Sequence, residues 1–318
     1  MKETGAVYIG IDVSKGTLDI DAGDLGVLKV ANTAAGVRKA LAGLARKAGA
    51  GVPLHVCMEA TGPYIRTLVA GCRSAGLPCS ILDPHRVALF ARSLSHAKTD
   101  RIDASVIRRF AQQSRPAPWR PPSGAAAKVD RFLLARDTLV ESLGRLRNVL
   151  GTLRGSPAAK PLEKAAALME KQVAGLDRLI AEAVAGDAGL AGLTAALASV
   201  TGVGALTAAK VAVWMPEVGT LGRRGAAALA GLAPHTRESG KWRGKSFTGG
   251  GRKCVRDALY MPATSARRSD PYMRRVYEGL RARGKIHKVA QTAVMRRLIC
   301  SLEAAAKAYY AGLGNAPA

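Results

Sequence analysis

The stretch VYIGIDV, residues Val7–Val13, decides the fold that the sequence predicts. Its apolar residues form the pattern of a buried β-strand, which ends at the turn-forming run Ser14-Lys15-Gly16. Two more strand patterns follow, at Thr17–Ala22 and Val27–Ala31, with glycine-rich turns between them. The chain is therefore predicted to begin with a meander of three β-strands.

Helix and strand patterns alternate after this meander, up to about residue 115. The predicted strands and helices, in chain order, are a helix at 37–48, a strand at 52–58, a helix at 63–75, a strand at 78–82 and helices at 86–93 and 100–113. Three hairpin-linked strands followed by alternating helices and strands are the order of an α/β ribonuclease H-like fold.

The sequence predicts three parts: an α/β domain at 1–115, a connector at 116–192 and a mainly α-helical domain at 193–318. The connector opens with the stiff proline-rich run Arg115–Pro122. Apolar residues then recur at three- and four-residue steps in two long amphipathic helices, typical of an antiparallel hairpin or coiled coil. Packing inside one subunit and a role in oligomer formation explain these helices equally well.

Charge is the strongest signal of function, since 48 Lys and Arg oppose 23 Asp and Glu, giving a net charge of +25. Between Arg237 and Arg297 there are 17 basic and 4 acidic residues. Such a surplus favours a polyanionic partner, nucleic acid first and an anionic membrane surface second. The hydrophobic content of 48% excludes a wholly disordered basic tail.

A membrane or secreted protein is not expected. The longest uncharged run, Ala188–Ala209, is rich in Ala and Gly and is interrupted by Thr201–Gly204. The N-terminal residues read as a strand rather than as a signal peptide. The five cysteines lack any CxxC pair, which indicates reduced thiols and a cytoplasmic protein in the prokaryotic cytosol or nucleoid.

Four carboxylates in the first domain point to metal chemistry: Asp12, Glu59, Asp100 and Asp103. Asp12 lies inside an apolar strand, where an unpaired charge is costly, and Glu59 ends a second apolar strand. Asp100 and Asp103 lie three residues apart, on one predicted helix face. Clustered carboxylates repel each other unless cations neutralise them, so we expect Mg²⁺, with two ions as in two-metal phosphodiester chemistry.

Each acid also has a structural explanation. Glu59 is equally suited to cap the helix that follows, and Asp100 or Asp103 to act as a charge at a helix N-terminus. The strand around Asp12 is also found in sugar-kinase and actin-like ATPases. The further glycine-rich phosphate loops of those proteins are absent from the sequence, and a charge of +25 does not suit an enzyme of small metabolites.

The second half carries two candidate phosphate-binding features. Gly202 and Gly204 form a Gly-x-Gly bend resembling a helix-hairpin-helix turn, which presents backbone amides at a helix N-terminus. Further on, basic residues are interleaved with Trp242 and Phe247, and the candidate nucleic-acid contacts there are Arg237, Lys241, Arg243, Lys245, Arg252, Lys253 and Arg256. This composition suits a surface that follows a phosphate backbone, although alone it is typical of a solvated loop.

Five motifs occur in a fixed order along the chain: GIDVSK, EATGPY, KTDRIDA, GVGALTAA, and AGLAP followed by ESG. With these motifs the chain resembles the DEDD transposases of the insertion sequence 110 family, and the resemblance covers nearly its full length. It implies a RuvC-like domain, a coiled-coil connector and a C-terminal transposase domain. It also implies that Asp12, Glu59, Asp100 and Asp103 are the metal-binding tetrad and that Ser239 is the nucleophile.

Members of that family recombine DNA through a covalent phosphoserine and Holliday-junction-like steps, and some use a guide RNA from their own element. The resemblance therefore implies element-end and target DNA as partners and a homodimer or homotetramer, together with a guide RNA if the chain is one of the members that use one. Ser246 is a second hydroxyl near Ser239, which we rank lower. Two alternatives stay open: a RuvC-like junction nuclease that uses water, and a non-catalytic nucleic-acid-binding protein.

Overall fold

The computed structural model describes residues 6–60, 62–94, 104–119, 122–236, 238–239, 242–244 and 246–314. The chain forms two compact units, Met1–Pro121 and Pro122–Ala318. They are called unit 1 and unit 2 below.

Unit 1 is built on a five-stranded mixed β-sheet. Its strands are β1 (Val7–Val13), β2 (Thr17–Asp21), β3 (Val27–Ala31), β4 (Leu54–Glu59) and β5 (Cys79–Leu82). Their order across the sheet is β3-β2-β1-β4-β5. The first three strands form the predicted antiparallel meander, whereas β4 and β5 run parallel to β1. The prediction of a mixed α/β N-terminal part is confirmed.

Helices cover both faces of this sheet. They are α1 (Ala34–Ala48), α2 (Arg66–Ser74), α3 (Pro84–Leu94) and α4 (Ala104–Ser114). Alternation along β1 sends Ile9 and Ile11 into a core shared with α1 and α2. The opposite face packs against α3 and α4 through Val87 and Ile107. Asp12 alternates with Ile11 and therefore belongs to the face that α4 covers.

Gly10 sets how closely α4 approaches the sheet. A Cβ atom on Gly10 would lie 2.1 Å from the Ala104 carbonyl oxygen and 2.5 Å from the Arg108 backbone nitrogen. Only glycine permits this contact. Arg108 also donates from Nε to Asp21 Oδ1 at 3.0 Å, which ties α4 to the end of β2. The start of α4 is thus fixed beside β1.

The proline-rich segment after α4 packs along β5. The Ser80 hydroxyl donates to the Ala117 carbonyl at 2.7 Å, and the Trp119 amide donates to the Cys79 carbonyl at 2.6 Å. The Trp119 side chain packs against the sheet core. This part of the predicted linker is therefore held in unit 1.

Unit 2 is mainly helical, as predicted. Its helices are α5 (Gly124–Thr152), α6 (Ala159–Ala185), α7 (Ala188–Ala198), α8 (Ala205–Trp214), α9 (Gly222–Leu229), α10 (Lys253–Ala258), α11 (Tyr260–Ser269), α12 (Pro271–Ala282) and α13 (His287–Gly312). The longest of these, α5 and α6, form a hairpin. Its antiparallel direction follows from two ion pairs, Arg136 with Asp177 and Arg147 with Glu170.

Only the root of the α5–α6 hairpin enters the core of unit 2, through Val129, Leu133 and Ile180. Several apolar side chains of the two helices are exposed instead: Leu134, Val140, Val149, Leu168 and Leu179. Among the described residues, no single helix is both long and apolar enough to cross a bilayer. Taken together, α6 and α7 meet those criteria, but they are bent by 114° at their junction.

Several carboxylates of unit 2 bind donors of the unit itself. Asp137 accepts from Lys210 Nζ at 2.7 Å, which joins α5 to α8. Asp130 accepts from the Trp214 indole at 3.0 Å. Glu303 is 2% exposed and accepts from the Gly219 and Gly222 amides at 2.7 and 2.6 Å, so it fixes the start of α9.

Candidate acidic site and serine hairpin

Two of the predicted acids meet at one edge of the sheet in unit 1. In the parallel pair of β1 and β4, Ile11 lies opposite Met58. Asp12 and Glu59 each follow one residue later, so they come out side by side where both strands end. Parallel strands bring their carboxyl ends to the same edge, which explains why residues 47 positions apart in the sequence meet here.

Glu59 is held in an unfavourable environment for a charged carboxylate. Its Oε1 atom is buried without a hydrogen-bond partner among the described residues. Burial and the nearby charges of Asp12 and Asp83 raise the pKa of Glu59 from 4.5 to about 7. A buried carboxylate oxygen without a donor, next to other carboxylates, is the electrostatic setting that a cation relieves.

The sequence analysis missed two further acids near this edge. Asp83 directly follows β5, whose Leu82 lies opposite Glu59, and it accepts from the His85 amide at 2.8 Å. Asp19 on β2 lies opposite Asp12 and is paired with Lys29 at 3.0 Å. Asp83 was detectable from sequence, because it follows the next predicted strand just as Glu59 ends its own. Asp19 looks like an ordinary strand position.

Asp100 and Asp103 lie outside the described residues. The chain is described again from Ala104, the first residue of α4 and the one that contacts Gly10. Within the described ranges, no three acidic, histidine or cysteine side chains are grouped so as to hold a metal ion. The described residues therefore supply two of the four predicted ligands, both with the carboxylate oxygens that Mg²⁺ prefers.

Ser239 lies in a small nested hairpin of unit 2 that the sequence analysis did not predict. The outer strands are β6 (Pro234–His235) and β9 (Phe247–Thr248), with the rings of His235 and Phe247 5.4 Å apart. The inner strands are β7 (Glu238–Ser239) and β8 (Trp242–Arg243). The backbone of Ser239 pairs with Trp242 next to the tip. Ser246 precedes the outer strand β9 and is exposed.

The two ends of this hairpin segment are joined tightly. A Cβ atom on Gly251 would lie 2.4 Å from the Gly231 nitrogen and 2.5 Å from the Leu229 carbonyl oxygen. Gly251 also has a φ of +59°, which favours glycine. The Arg252 amide donates to the Leu229 carbonyl at 2.6 Å. The two ends of the segment are therefore held together at one place. We call the segment the serine hairpin and this place its base.

Arg252 anchors this base through a two-pronged ion pair with Glu217. Its Nη1 and Nη2 atoms each lie 2.6 Å from a carboxylate oxygen, and Nη1 also donates to the Trp214 carbonyl at 3.0 Å. Burial opposes ionisation of Glu217, but hydrogen bonds and the charge of Arg252 hold its pKa below the usual value. Arg252 was predicted as a nucleic-acid contact, and in the structure both its terminal nitrogens bind inside unit 2.

The other predicted basic contacts fall into three groups. Arg256 donates to the Gly250 carbonyl at 2.8 Å, and Lys253 pairs with Asp257 on its own helix. For Arg243 the structure describes only the backbone, in β8. The remaining three lie outside the described residues: Arg237, Lys241 and Lys245.

The two glycines of the predicted helix-hairpin-helix turn have different environments. Gly202 has a φ of +89°, and a Cβ atom there would lie 2.6 Å from the Ala266 nitrogen of α11. Gly204 caps the N-terminus of α8, is exposed, and has open space around it. Gly202 therefore allows close packing, while Gly204 leaves the first amides of α8 accessible. Phosphate binding at this turn stays a prediction.

Comparison with known proteins gives a consistent result. Residues 9–154 match the DEDD transposase model of IS110, and residues 194–278 match the IS116/IS110/IS902 transposase family. The pilin gene-inverting protein of Moraxella bovis is 27% identical over 251 residues, covering 77% of this chain and 78% of that protein. The same protein of Moraxella lacunata matches to the same extent. An uncharacterised 43.6 kDa protein of insertion element IS110 from Streptomyces coelicolor is 36% identical over 113 residues, or 35% of this chain and 28% of that protein.

Proposed function

This chain belongs to the IS110 family of transposases, which are DNA-processing enzymes, and we propose that it moves its own element by metal-dependent cleavage and exchange of DNA strands through Ser239. The observation that carries this proposal is the acidic edge formed by Asp12 and Glu59. Its partners are the DNA of the element ends and target, together with a guide RNA encoded by the element. Its place of action is the prokaryotic cytoplasm.

The proposed metal site consists of Asp12, Glu59, Asp100 and Asp103, which would hold one or two Mg²⁺ ions. The buried, unpartnered Oε1 atom of Glu59 and its raised pKa fit a carboxylate suited to a cation. Asp103 is bonded to Ala104, whose carbonyl packs against Gly10 two residues from Asp12. Bound Mg²⁺ supplies Lewis-acid activation of a hydroxyl and of the phosphodiester.

We propose that unit 1 is the RuvC-like, ribonuclease H-like domain of this enzyme. Its support is the antiparallel meander continued by two parallel strands, with helices on both faces. That topology puts β1 at the centre of the sheet and brings its Asp12 next to Glu59. The coiled-coil connector and the transposase domain of the proposal then correspond to the α5–α6 hairpin and the rest of unit 2.

Ser239 is the proposed nucleophile because the nested hairpin places its backbone beside the tip, above a fixed base. Attack of its hydroxyl oxygen on a phosphodiester would form a phosphoserine bond. One DNA hydroxyl leaves and takes up the proton that the serine loses. The energy of the broken bond is kept in the ester, so the strand can be rejoined to a new end.

A homodimer or homotetramer is the proposed assembly. The exposed apolar side chains of the α5–α6 hairpin support it, because Leu134 is 64% and Leu168 58% exposed. Clusters of exposed apolar side chains on a helical hairpin are typical of surfaces that contact another chain.

The test is a denaturing gel that resolves a covalent protein–DNA adduct. The full-length protein, with Mg²⁺ and any RNA that co-purifies, is mixed with labelled DNA carrying the element junction. We expect an adduct with the wild type and with Ser246→Ala, and none with Ser239→Ala or Asp12→Ala. Cleavage that survives Ser239→Ala without any adduct would instead identify a junction nuclease that uses water. Binding without any cleavage, unchanged by Asp12→Ala, would identify a non-catalytic binding protein.

A further inference from the structure

A pocket lined by arginines lies in unit 2, at the corner between α11 and α12. It has a volume of about 290 Å³ and is lined by Arg267, Arg268, Arg274, Tyr277 and Glu278. We call it the arginine pocket. None of its residues belongs to the serine hairpin or to the predicted nucleic-acid contacts.

Two of the three guanidinium groups are held in place by neighbours. Arg267 lies over the ring of Tyr277, with its Cζ atom 4.4 Å from the ring centre. The Tyr277 hydroxyl is in turn 2.8 Å from His287 Nδ1, so the supporting ring is itself fixed. Arg274 donates from Nη2 to the Arg268 carbonyl, which closes the corner between the helices. Fixing these side chains before binding reduces the entropy lost when they bind a ligand.

The three guanidinium groups are not neutralised by carboxylates. Among the residues that the structure describes, no Asp or Glu oxygen lies within 4.0 Å of any of them, whereas Arg136 and Arg252 of the same unit are both paired. Glu278 is the one acidic residue in the lining. The pocket therefore keeps an excess of positive charge.

Helix dipoles explain only part of this arrangement. Arg267 and Arg268 lie in the last turn of α11, where the dipole stabilises a cation. Arg274 lies in the first turn of α12, which begins at Pro271, and there the dipole opposes a cation. The α12 N-terminus is already capped by the Asp270 carboxylate, which accepts from the Tyr272 amide at 2.7 Å. The helix dipole therefore does not explain the position of Arg274 in a pocket with two other arginines.

We propose that the arginine pocket binds a phosphate of a nucleic-acid backbone. This inference rests on the proposed function, since it assumes a nucleic-acid substrate, and it names a binding site outside the serine hairpin. Guanidinium groups form paired hydrogen bonds to phosphate oxygens, and arginine is suited to that geometry. The volume lies just below the ~300–1,000 Å³ of pockets for whole small ligands, which suits one backbone unit rather than a free metabolite.

The test compares the pocket with two exposed arginines outside its lining, one on α12 and one directly after it. In the double variant Arg267→Gln/Arg274→Gln two pocket charges are removed, and in the control Arg275→Gln/Arg283→Gln two charges are removed from exposed positions outside the lining. Binding of the full-length proteins to labelled element-end duplex DNA and to an RNA hairpin is measured by fluorescence anisotropy over a salt series. Thermal unfolding of each variant checks the fold.

We expect the pocket variant to bind on the order of tenfold more weakly at low salt. The log–log slope of its affinity against salt should fall by about one for each arginine that no longer neutralises a phosphate. The control should change affinity less than threefold. Tyr277→Leu, which keeps every charge but removes the ring under Arg267, should weaken binding several-fold. A weakening confined to DNA or to RNA identifies which backbone occupies the pocket.

Equal weakening in the pocket and control variants would overturn the inference, because general charge would then explain both. Wild-type affinity in the pocket variant would overturn it as well. Failure of the wild type to bind either nucleic acid would refute the proposed function itself. Asp12→Ala is expected to bind both nucleic acids normally but to form no covalent adduct. The binding assay and the adduct assay therefore test the pocket proposal and the proposed function separately.

Discussion

Glu59→Gln is expected to stabilise unit 1 when no metal is present, and only above the pH at which Glu59 ionises. The substitution keeps the size of the side chain and removes its charge. Because the pKa of Glu59 is raised from 4.5 to about 7 in the folded protein, ionisation is disfavoured there relative to the unfolded chain. The wild type thus has its full stability below about pH 4.5 and loses part of it as the pH rises through about 7.

The size of the effect follows from these two pKa values. Their difference corresponds to about 3 kcal/mol, since one pKa unit is worth about 1.4 kcal/mol. Glu59 is half-buried, and screening by solvent lowers the expected gain to about 1–2 kcal/mol. We therefore expect hydrogen exchange of β1 and β4 in EDTA to be about 5–30 times slower in the variant near pH 8, and unchanged near pH 4.5.

Asp24→Asn is the matched control, because Asp24 is an exposed acid of the same unit, and it should leave exchange unchanged at both pH values. Adding Mg²⁺ near pH 8 should slow exchange in the wild type but not in Glu59→Gln. Faster exchange in Glu59→Gln near pH 8 would refute this account, because it would mean that the folded protein stabilises the carboxylate. An equal gain at both pH values would show that charge is not the cause.

Three further predictions concern packing and assembly. Gly10→Ala should destabilise the protein by about 1–3 kcal/mol in thermal unfolding, because the added carbon meets the start of α4, whereas Gly16→Ala has open space around it and should not. Glu217→Ala should cost about 1 kcal/mol, since the pair with Arg252 is partly exposed, and should reduce the adduct yield at Ser239. Arg252→Lys keeps the positive charge but cannot form the two-pronged ion pair with Glu217, so it should also lower the adduct yield. A yield equal to that of the wild type would refute the role of the two-pronged pair. Leu134→Gln/Leu168→Gln should lower the mass measured by light scattering, and an unchanged mass would assign the hairpin to packing within one subunit.

The sheet of unit 1 was predictable because its strands are local patterns. Val7–Val13 and the two strands after it alternate apolar residues between short turns, and the meander needs no long-range information. The meeting of Asp12 with Glu59 required one further assumption, that β1 and β4 are neighbours. The structure supports that assumption and adds Asp83, which a strand-end rule applied to β5 would have found.

The base of the serine hairpin was not predictable in the same way. Its strands are two residues long and lie among Gly, Lys and Arg, so no periodicity indicates them. Arg252 looks like one more basic residue of a charged loop until its partner is known. That partner, Glu217, lies 35 positions earlier, and only the folded chain brings the two together.

The carboxylates of unit 2 that are already bound within the unit have a consequence for its solution behaviour. Asp137, Glu217 and Glu303 bind donors of the unit itself, so they contribute little to balancing the cations at its surface. Without a polyanion, those surface cations repel one another and lower the stability of the compact state. A bound polyanion removes that repulsion and adds its own binding free energy to folding. Binding and folding are linked in this way, so the protein is most stable when a polyanion is bound to it.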